Sequence, residues 1–278
     1  MPEITAAMVK ALRDRTGLPM MECKQALIET GGDPEAAIEW LRKAGRKTMS
    51  ARLDRETSAG RLAVYVDPST RVGAMLELFC ETAPVANNEQ FIALANELVR
   101  QLACGPGADT AEALLAQPVP SDPARTLQDL FEEINHRIRE VFRLGRMLRW
   151  EGVAAGYVHH DGSIGVLLAA EGGDPALAKD ICMHIAAMRP QVVSREDLDP
   201  KRIEKEKEIL MEQARAEGRP ENVLAKVVEG RLRTFFAECC LLDQPFVKGA
   251  SEKETVGEVA KRSGMKIHRF VRWVLGKE

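Results

Sequence analysis

The amino-acid sequence predicts an α+β protein: a small three-helix domain, then two related α+β subdomains with small antiparallel sheets and a protruding antiparallel helical hairpin. Three observations carry that prediction. Three helix-length segments, each with its own start and stop signals, fit into the first 45 residues. A strand–turn–strand–helix order appears twice, beginning near Leu62 and again near Val153. Two narrow apolar seams, separated by Gly218-Arg219-Pro220, follow Pro200.

The first helix starts after Thr5, an N-cap type, and places Met8, Val9 and Leu12 along one side. Gly17 stands where a left-handed helix-ending residue belongs. Pro19 restarts the chain, Cys23, Ala26 and Leu27 continue at helical spacing, and Gly31-Gly32 breaks the second helix. Asp33-Pro34-Glu35 opens a third, with a cap, a proline in the first turn and an acid at the positive end of the dipole. Gly45 is expected to stop it. Three short helices bury little surface, so such a module is marginal alone and usually holds something.

Domain limits follow from composition: 1–46 for the three-helix domain, 47–60 for a polar linker, 61–150 and 151–278 for the two core subdomains. In the first, Leu62, Val64 and Val66 alternate, Asp67 to Thr70 supply a turn, and Val72 to Cys80 is apolar and extended, which signals a hairpin. Phe91, Leu94, Leu98 and Leu102 then keep helical spacing. Gly105 to Pro123 is expected to be a surface loop, and a helix is expected from about Thr126 to Trp150. In the second, Val153–Val158 and Ile164–Ala169 flank His160-Asp161-Gly162, and a helix carries Leu177, Ile181, Ile185 and Met188 on one face. The helical hairpin covers about 200–239, with seams Ile203, Leu210, Met211, Ala214 and Leu224, Val227, Val228, Leu232. A helix near Val256 to Arg262 and a strand over Ile267 to Leu275 close the chain.

Composition excludes several classes. Of 278 residues, 39 are Lys or Arg and 42 Asp or Glu, a net charge of −3 that argues against a protein built to coat nucleic acid. Six cysteines show no C-x-x-C pair or zinc spacing and are expected to be buried, reduced thiols. No run approaches the ~20 apolar residues of a membrane helix. The N-terminus resembles neither a signal nor a transit peptide, so a cytoplasmic protein is expected. Phosphate-loop, dinucleotide and nucleophile-elbow motifs are missing. His159 and His160, adjacent on a strand, point to opposite faces, and His184 sits on an apolar helix face as a core histidine does. The pattern specifies no enzyme active site, no cofactor and no metal.

What the pattern withholds, the wording supplies. The run TG-x-x-MM-x-C-K-x-AL at Thr16 to Leu27, followed by GGDPEAAIEWLRKAG, resembles the ubiquitin-associated-like N-terminal domain of the elongation factor Ts family. Tyr157-Val158-His159 through Ile164-Gly165-Val166-Leu167, Met183-His184-Ile185-Ala186-Ala187, Val228-Glu229-Gly230-Arg231-Leu232 and Leu241-Leu242-Asp243-Gln244-Pro245-Phe246-Val247 resemble further blocks of that family, in order, across residues 3 to 275. The resemblance implies a guanine-nucleotide exchange factor for elongation factor Tu, the GTPase that delivers aminoacyl-tRNA. The C-terminal helical extension of some members is expected to have no counterpart in this chain.

The same resemblance implies site residues. Arg13, Met20 and Met21 match positions that contact the partner's GTPase domain, although one of the two methionines could equally be buried. His159 matches a histidine near the partner's phosphate loop; a solvated turn histidine is the alternative. Family members usually carry Thr-Asp-Phe-Val-Ala after the first hairpin, the phenylalanine wedging between partner helices and the acid helping to displace magnesium. Here the magnesium-dislocation loop is Thr82-Ala83-Pro84-Val85, without either side chain. A second departure falls at Ile138-Arg139, where Arg139 takes the place of a close-contact glycine. Two explanations stay open: a co-adapted partner, or a weaker exchange factor that has diverged. A ribosome- or RNA-associated protein is the runner-up, from Lys261, Arg262, Lys266, Arg269 and Arg272 and the N-terminal Arg42, Lys43, Arg46 and Lys47, with no aromatic platform evident beside them. The helical hairpin leaves a homodimer, a 2:2 complex and contact with the partner alone all open.

Overall fold

The computed structural model describes residues 3–50, 52, 54–251 and 253–277. The fold is mixed α+β. Helices α1 (Ala6–Thr16), α2 (Met20–Glu29) and α3 (Pro34–Ser50) enclose Val9, Leu12, Leu18, Cys23, Ala26, Leu27, Ala37 and Leu41. The Thr5 hydroxyl accepts the Met8 amide at 3.3 Å, and Gly17 ends α1 at φ 68°. Contrary to expectation, α3 runs through Gly45. A helical glycine costs about 1 kcal/mol, and here it serves close approach: a Cβ at Gly45 would lie 2.6 Å from His136 Nδ1. The polar segment 47–60 therefore begins as helix; Ala51 and Leu53 within it lie outside the described residues.

The first hairpin is β1 (Ala59–Val66) and β2 (Gly73–Cys80). One turn of helix, α4 (Ala83–Ala86), leads to α5 (Glu89–Cys104), which buries Phe91, Leu94, Leu98 and Leu102. The supposed loop after Gly105 holds structure: α6 (Ala111–Leu115), then β3 (Pro118–Val119) paired with β4 (Asp122–Thr126). Leu114 and Val119 anchor it in the core, and Gln117 Nε2 donates to the Gly107 carbonyl at 2.7 Å.

The helix expected from Thr126 to Trp150 is half strand. Helix α7 (Leu127–Ile138) stops at Arg139, in left-handed backbone at φ 68°, and β5 (Arg143–Trp150) joins the sheet in the order β1-β2-β5. Two residues explain the strand. A Cβ at Gly145 would lie 2.5 Å from the Phe79 ring, so only glycine lets the backbone come this close. Glu77 is 2% exposed, and Arg146 pairs with it through Nε at 2.9 Å and Nη2 at 2.6 Å. An unpaired buried carboxylate costs several kcal/mol.

The later half repeats the plan. Strands β6 (Val153–Val158) and β7 (Ile164–Glu171) precede α8 (Pro175–Met188), and helices α9 (Pro200–Ala216) and α10 (Glu221–Cys239) form the antiparallel pair. After α11 (Val256–Arg262), β8 (Lys266–Val274) runs antiparallel to β7, giving the order β6-β7-β8. In both three-stranded sheets, then, a distant third strand joins the second strand of a hairpin. Ile181, Cys182 and Ile185 of α8 pack on Val166, Leu168 and Ala170. His184 is buried beside Phe246, its ring centroid 5.6 Å away, with Nε2 2.9 Å from Gln244 Oε1, and burial pushes its pKa down. Leu210, Ala214, Leu224 and Val228 form the buried seam of the helical pair.

By contacts the chain forms two compact units. One gathers the chain up to Ala63 with Leu76–Leu148 and Asp161–Ser163; the other gathers Val64–Met75, Arg149–His160 and the chain from Ile164 onward. All six cysteines are free thiols; five are buried, but Cys104, expected inside, is exposed. Among the described residues no helix is long and apolar enough to cross a membrane.

Candidate functional site

Strand β2 ends at Cys80, and the chain leaves it at Glu81-Thr82-Ala83-Pro84. Thr82 is extended, at φ −130° and ψ 149°, and caps α4, whose first turn holds the proline. Proline costs no hydrogen bond there, because first-turn amides have no partner in the helix. Thr82, Ala83 and Pro84 are exposed, and Val85 is half-buried.

The exposed turn is held by two carboxylates, one from elsewhere in the chain and one its own. Glu140 Oε2 accepts the amides of Glu81 and Thr82 at 3.1 and 3.0 Å, and its Oε1 accepts the Thr82 hydroxyl at 2.6 Å. Glu81 answers in the opposite direction: its Oε1 accepts the Val141 amide at 2.8 Å, and its Oε2 pairs with Arg55 at 3.1 Å. Burial raises the Glu81 pKa, but the Val141 amide and Arg55 outweigh it, so the carboxyl titrates below its usual range. Burial, with the Glu140 charge beside it, pushes the Cys80 thiol up to about 11, which keeps it a neutral thiol near pH 7. At the far end of α4, Arg61 Nη1 donates to the Ala86 carbonyl at 3.0 Å. The backbone of the turn is thus fixed at both ends, while its side chains face outward.

Glu140 follows directly on the end of α7, and that end grips the three-helix bundle. Arg139 pairs with Glu22 of α2, whose second oxygen lies 3.2 Å from His136 Nε2. Arg137 Nε donates to the Thr16 carbonyl at 3.2 Å. Burial lowers the His136 pKa, while the Glu22 charge opposes the shift. Ile138 is half-buried, and Arg139 is exposed in a left-handed conformation that suits glycine better than arginine. Just before Glu22, Met20 and Met21 are 50% and 72% exposed, so neither is a core residue. Arg13 is exposed on α1.

The family described as Elongation factor TS matches residues 81–277 of this chain. Elongation factor Ts of Thioalkalivibrio sulfidiphilus (strain HL-EbGR7) is 40% identical over 275 residues, 99% of this chain and 92% of that protein. Elongation factor Ts of Aquifex aeolicus (strain VF5) is 42% identical over 285 residues, 96% of each chain. The chain belongs to the elongation factor Ts family.

Within this member of the family, the residues singled out from the sequence fall into two groups. Met20 and Met21 join through Glu22 to Arg139, and Glu140 joins on to Thr82, so the exposed methionines and the exposed turn belong to one connected stretch of the first unit. His159 belongs to the second unit, at the end of β6; it is half-buried, its Nδ1 lies 2.9 Å from the Tyr157 hydroxyl, and its backbone amide pairs with the Ile164 carbonyl at 2.9 Å. The sequence alone assigns no role to Glu22, Glu81 or Glu140. Each is an ordinary acid in a charged stretch, and only the fold brings it to its partner. Arg269 also proves to stack on the Trp150 ring, 4.0 Å from its centroid, so an aromatic does accompany that part of the basic cluster.

Proposed function

We propose that the protein is a guanine-nucleotide exchange factor for elongation factor Tu: it binds the GDP-bound GTPase, disturbs the magnesium ion and phosphate contacts, and releases GDP so that GTP can bind. The observation that carries this reading is the Thr82–Pro84 turn, exposed yet held by Glu140 and continuous with the exposed Met20 and Met21. Exchange makes no covalent bond. By linkage, the factor weakens nucleotide binding as strongly as nucleotide weakens its own. Magnesium and backbone amides hold the phosphates of a bound nucleotide, so a stiff element pushed against them lowers affinity without a catalytic side chain.

Ala83 has no charge and Pro84 no ring able to wedge as phenylalanine does, so in this chain displacement falls to the backbone of the turn. A backbone can push only if it resists being pushed back, and the two carboxylates supply that resistance. Arg13, Met20 and Met21 dock the GTPase, with residues 1–46 acting as a ubiquitin-associated-like domain; Ile138, Arg139 and His159 complete the contact from the core. The diverged Ala83-Pro84 pair is matched by a partner that has changed with it.

Mixing the protein with nucleotide-free elongation factor Tu of the same organism tests this reading. A stoichiometric complex that GDP dissolves is expected. Failure to form it, or binding to RNA that falls steeply with salt, would favour the ribosome- or RNA-associated alternative.

A further inference from the structure

One arginine of the first unit bridges two turns. Arg61, on β1, is half-buried, and its Nη1 donates to the Ala86 carbonyl at 3.0 Å. Ala86 ends α4, the single helical turn that follows Thr82 and contains Pro84. Carbonyls at a helix end have no partner within the helix, and a charged donor bonds them more strongly than a neutral one.

The other side of Arg61 lies against Asp161–Ser163, in the turn that joins β6 to β7. These three residues belong to the first unit, as Arg61 and α4 do. The Leu62 amide donates to the Gly162 carbonyl at 2.8 Å. Gly162 is left-handed, at φ 76°, and a Cβ on it would lie 2.7 Å from Arg61 Cβ and 3.4 Å from Arg61 Cζ. The arginine side chain therefore runs flat across the glycine before it reaches α4. Asp161 Oδ1 fixes the turn by accepting the Ser163 amide at 2.9 Å and the Ser163 hydroxyl at 2.7 Å. Burial lowers the Arg61 pKa and the Asp161 charge opposes the shift; an arginine stays charged near pH 7 all the same.

We propose that Arg61 is a positioning residue for nucleotide exchange, tying α4 to the Asp161–Ser163 turn so that the Thr82–Pro84 turn does not recoil when pressed against the GTPase. This inference rests on the exchange reading. Glu140 holds the entry to α4 and Arg61 holds its exit, and the arginine alone carries the support on to another turn. Gly162 belongs to the arrangement, since any side chain there displaces the arginine.

Amide hydrogen exchange on the full-length chain reads the tie itself. Arg61→Met keeps the aliphatic stem and loses the guanidinium, whereas Gly162→Ala keeps the arginine and pushes on it. Each is expected to speed exchange of the Asn87 and Asn88 amides, which donate to the Pro84 and Val85 carbonyls, by about five-fold, the worth of one hydrogen bond. The double variant should go no further than Arg61→Met, because the two changes act through one contact, and Arg61→Lys should recover part of the protection. Unchanged amides in Gly162→Ala overturn the proposal.

Release of labelled GDP from elongation factor Tu of the same organism, followed against the concentration of the factor, reads the consequence. Arg61→Met is expected to lower the maximal rate by about five-fold, again one hydrogen bond, with the half-saturating concentration unchanged. A raised half-saturating concentration at full maximal rate overturns the proposal, because Arg61 would then touch the partner. Parent-like release by Arg61→Met, from a parent that is active, overturns the proposal and leaves the exchange reading standing. A parent that speeds no release ends the exchange reading and the proposal with it.

Discussion

The turn from β2 into α4 and the turn from β7 into α8 occupy the same place in the two repeats, and different forces hold them. In the second, the backbone does the holding: Gly172 and Gly173 sit at φ 67° and 73°, and a Cβ on Gly172 would lie 2.3 Å from the Gly264 carbonyl oxygen. Asp174 then caps α8 by accepting the Ala176 amide at 2.9 Å. In the first, Glu140 reaches in and binds two amides and a hydroxyl, and no glycine is needed. A turn held by glycine conformation tolerates no other residue type at those positions. A turn held by a remote carboxylate leaves Thr82, Ala83 and Pro84 free to change what they show a partner while the backbone stays in place. The first turn can therefore evolve as a contact surface; the second is committed to the fold.

Substitutions can break that contrast. Gly172→Val places a β-branched side chain in left-handed backbone and against a carbonyl, so a loss of more than ~3 kcal/mol in urea denaturation is expected. Ala83→Val in the first turn should change stability by less than ~0.5 kcal/mol. Comparable losses for the two would erase the distinction. Glu140→Ala is next: it frees two amides and a hydroxyl in a partly solvated place, and should cost about 1–2 kcal/mol and slow nucleotide exchange. Full stability and full rate in that variant would show that the carboxylate does not hold the turn.

Pro84→Gly should slow exchange by making the turn less stiff, and cost less than ~1 kcal/mol of stability, mainly through the greater freedom of the unfolded chain. An unchanged rate would remove the turn from the mechanism. The smallest effect is expected from pH. Burial, against the pull of Glu22 and with the aid of Arg139, depresses the folded-state pKa of His136. The unfolded chain then takes up the proton more readily, so the stability tied to a neutral His136 is full above about pH 6.5 and falls as pH drops through the folded value. His136→Gln should flatten that part of the stability profile; an identical slope would mean that His136 stays solvated.

Much of the fold was legible because its signals are local. Thr5, Gly17 and Asp33 mark helix ends by their own backbone chemistry, and the β6–β7 hairpin and the α9–α10 seams repeat at the periods of their elements. The failures share one cause, contact over distance. The expected helix from Thr126 to Trp150 gives way to strand β5 in its second half, where the close approach of Gly145 to Phe79 and the pairing of Arg146 with Glu77 decide, and both partners lie on another strand. Gly45 lies inside helix α3 and not at its end, because His136 leaves no room for a Cβ there. The repeat itself held a usable hint, since a closing strand at Ile267 in the second half called for a counterpart in the first. The residues proposed to meet a partner, by contrast, rest on family wording, and what fixes their backbone depends on Glu81 and Glu140, whose hydrogen bonds cross between two distant segments.

Release of labelled GDP from elongation factor Tu of the same organism tests the central claim most directly. The protein at saturation should speed release by at least ~100-fold, equivalent to about 2.7 kcal/mol of barrier, and Glu140→Ala should lose a large part of that acceleration. No acceleration by the parent chain on its cognate partner would contradict the account.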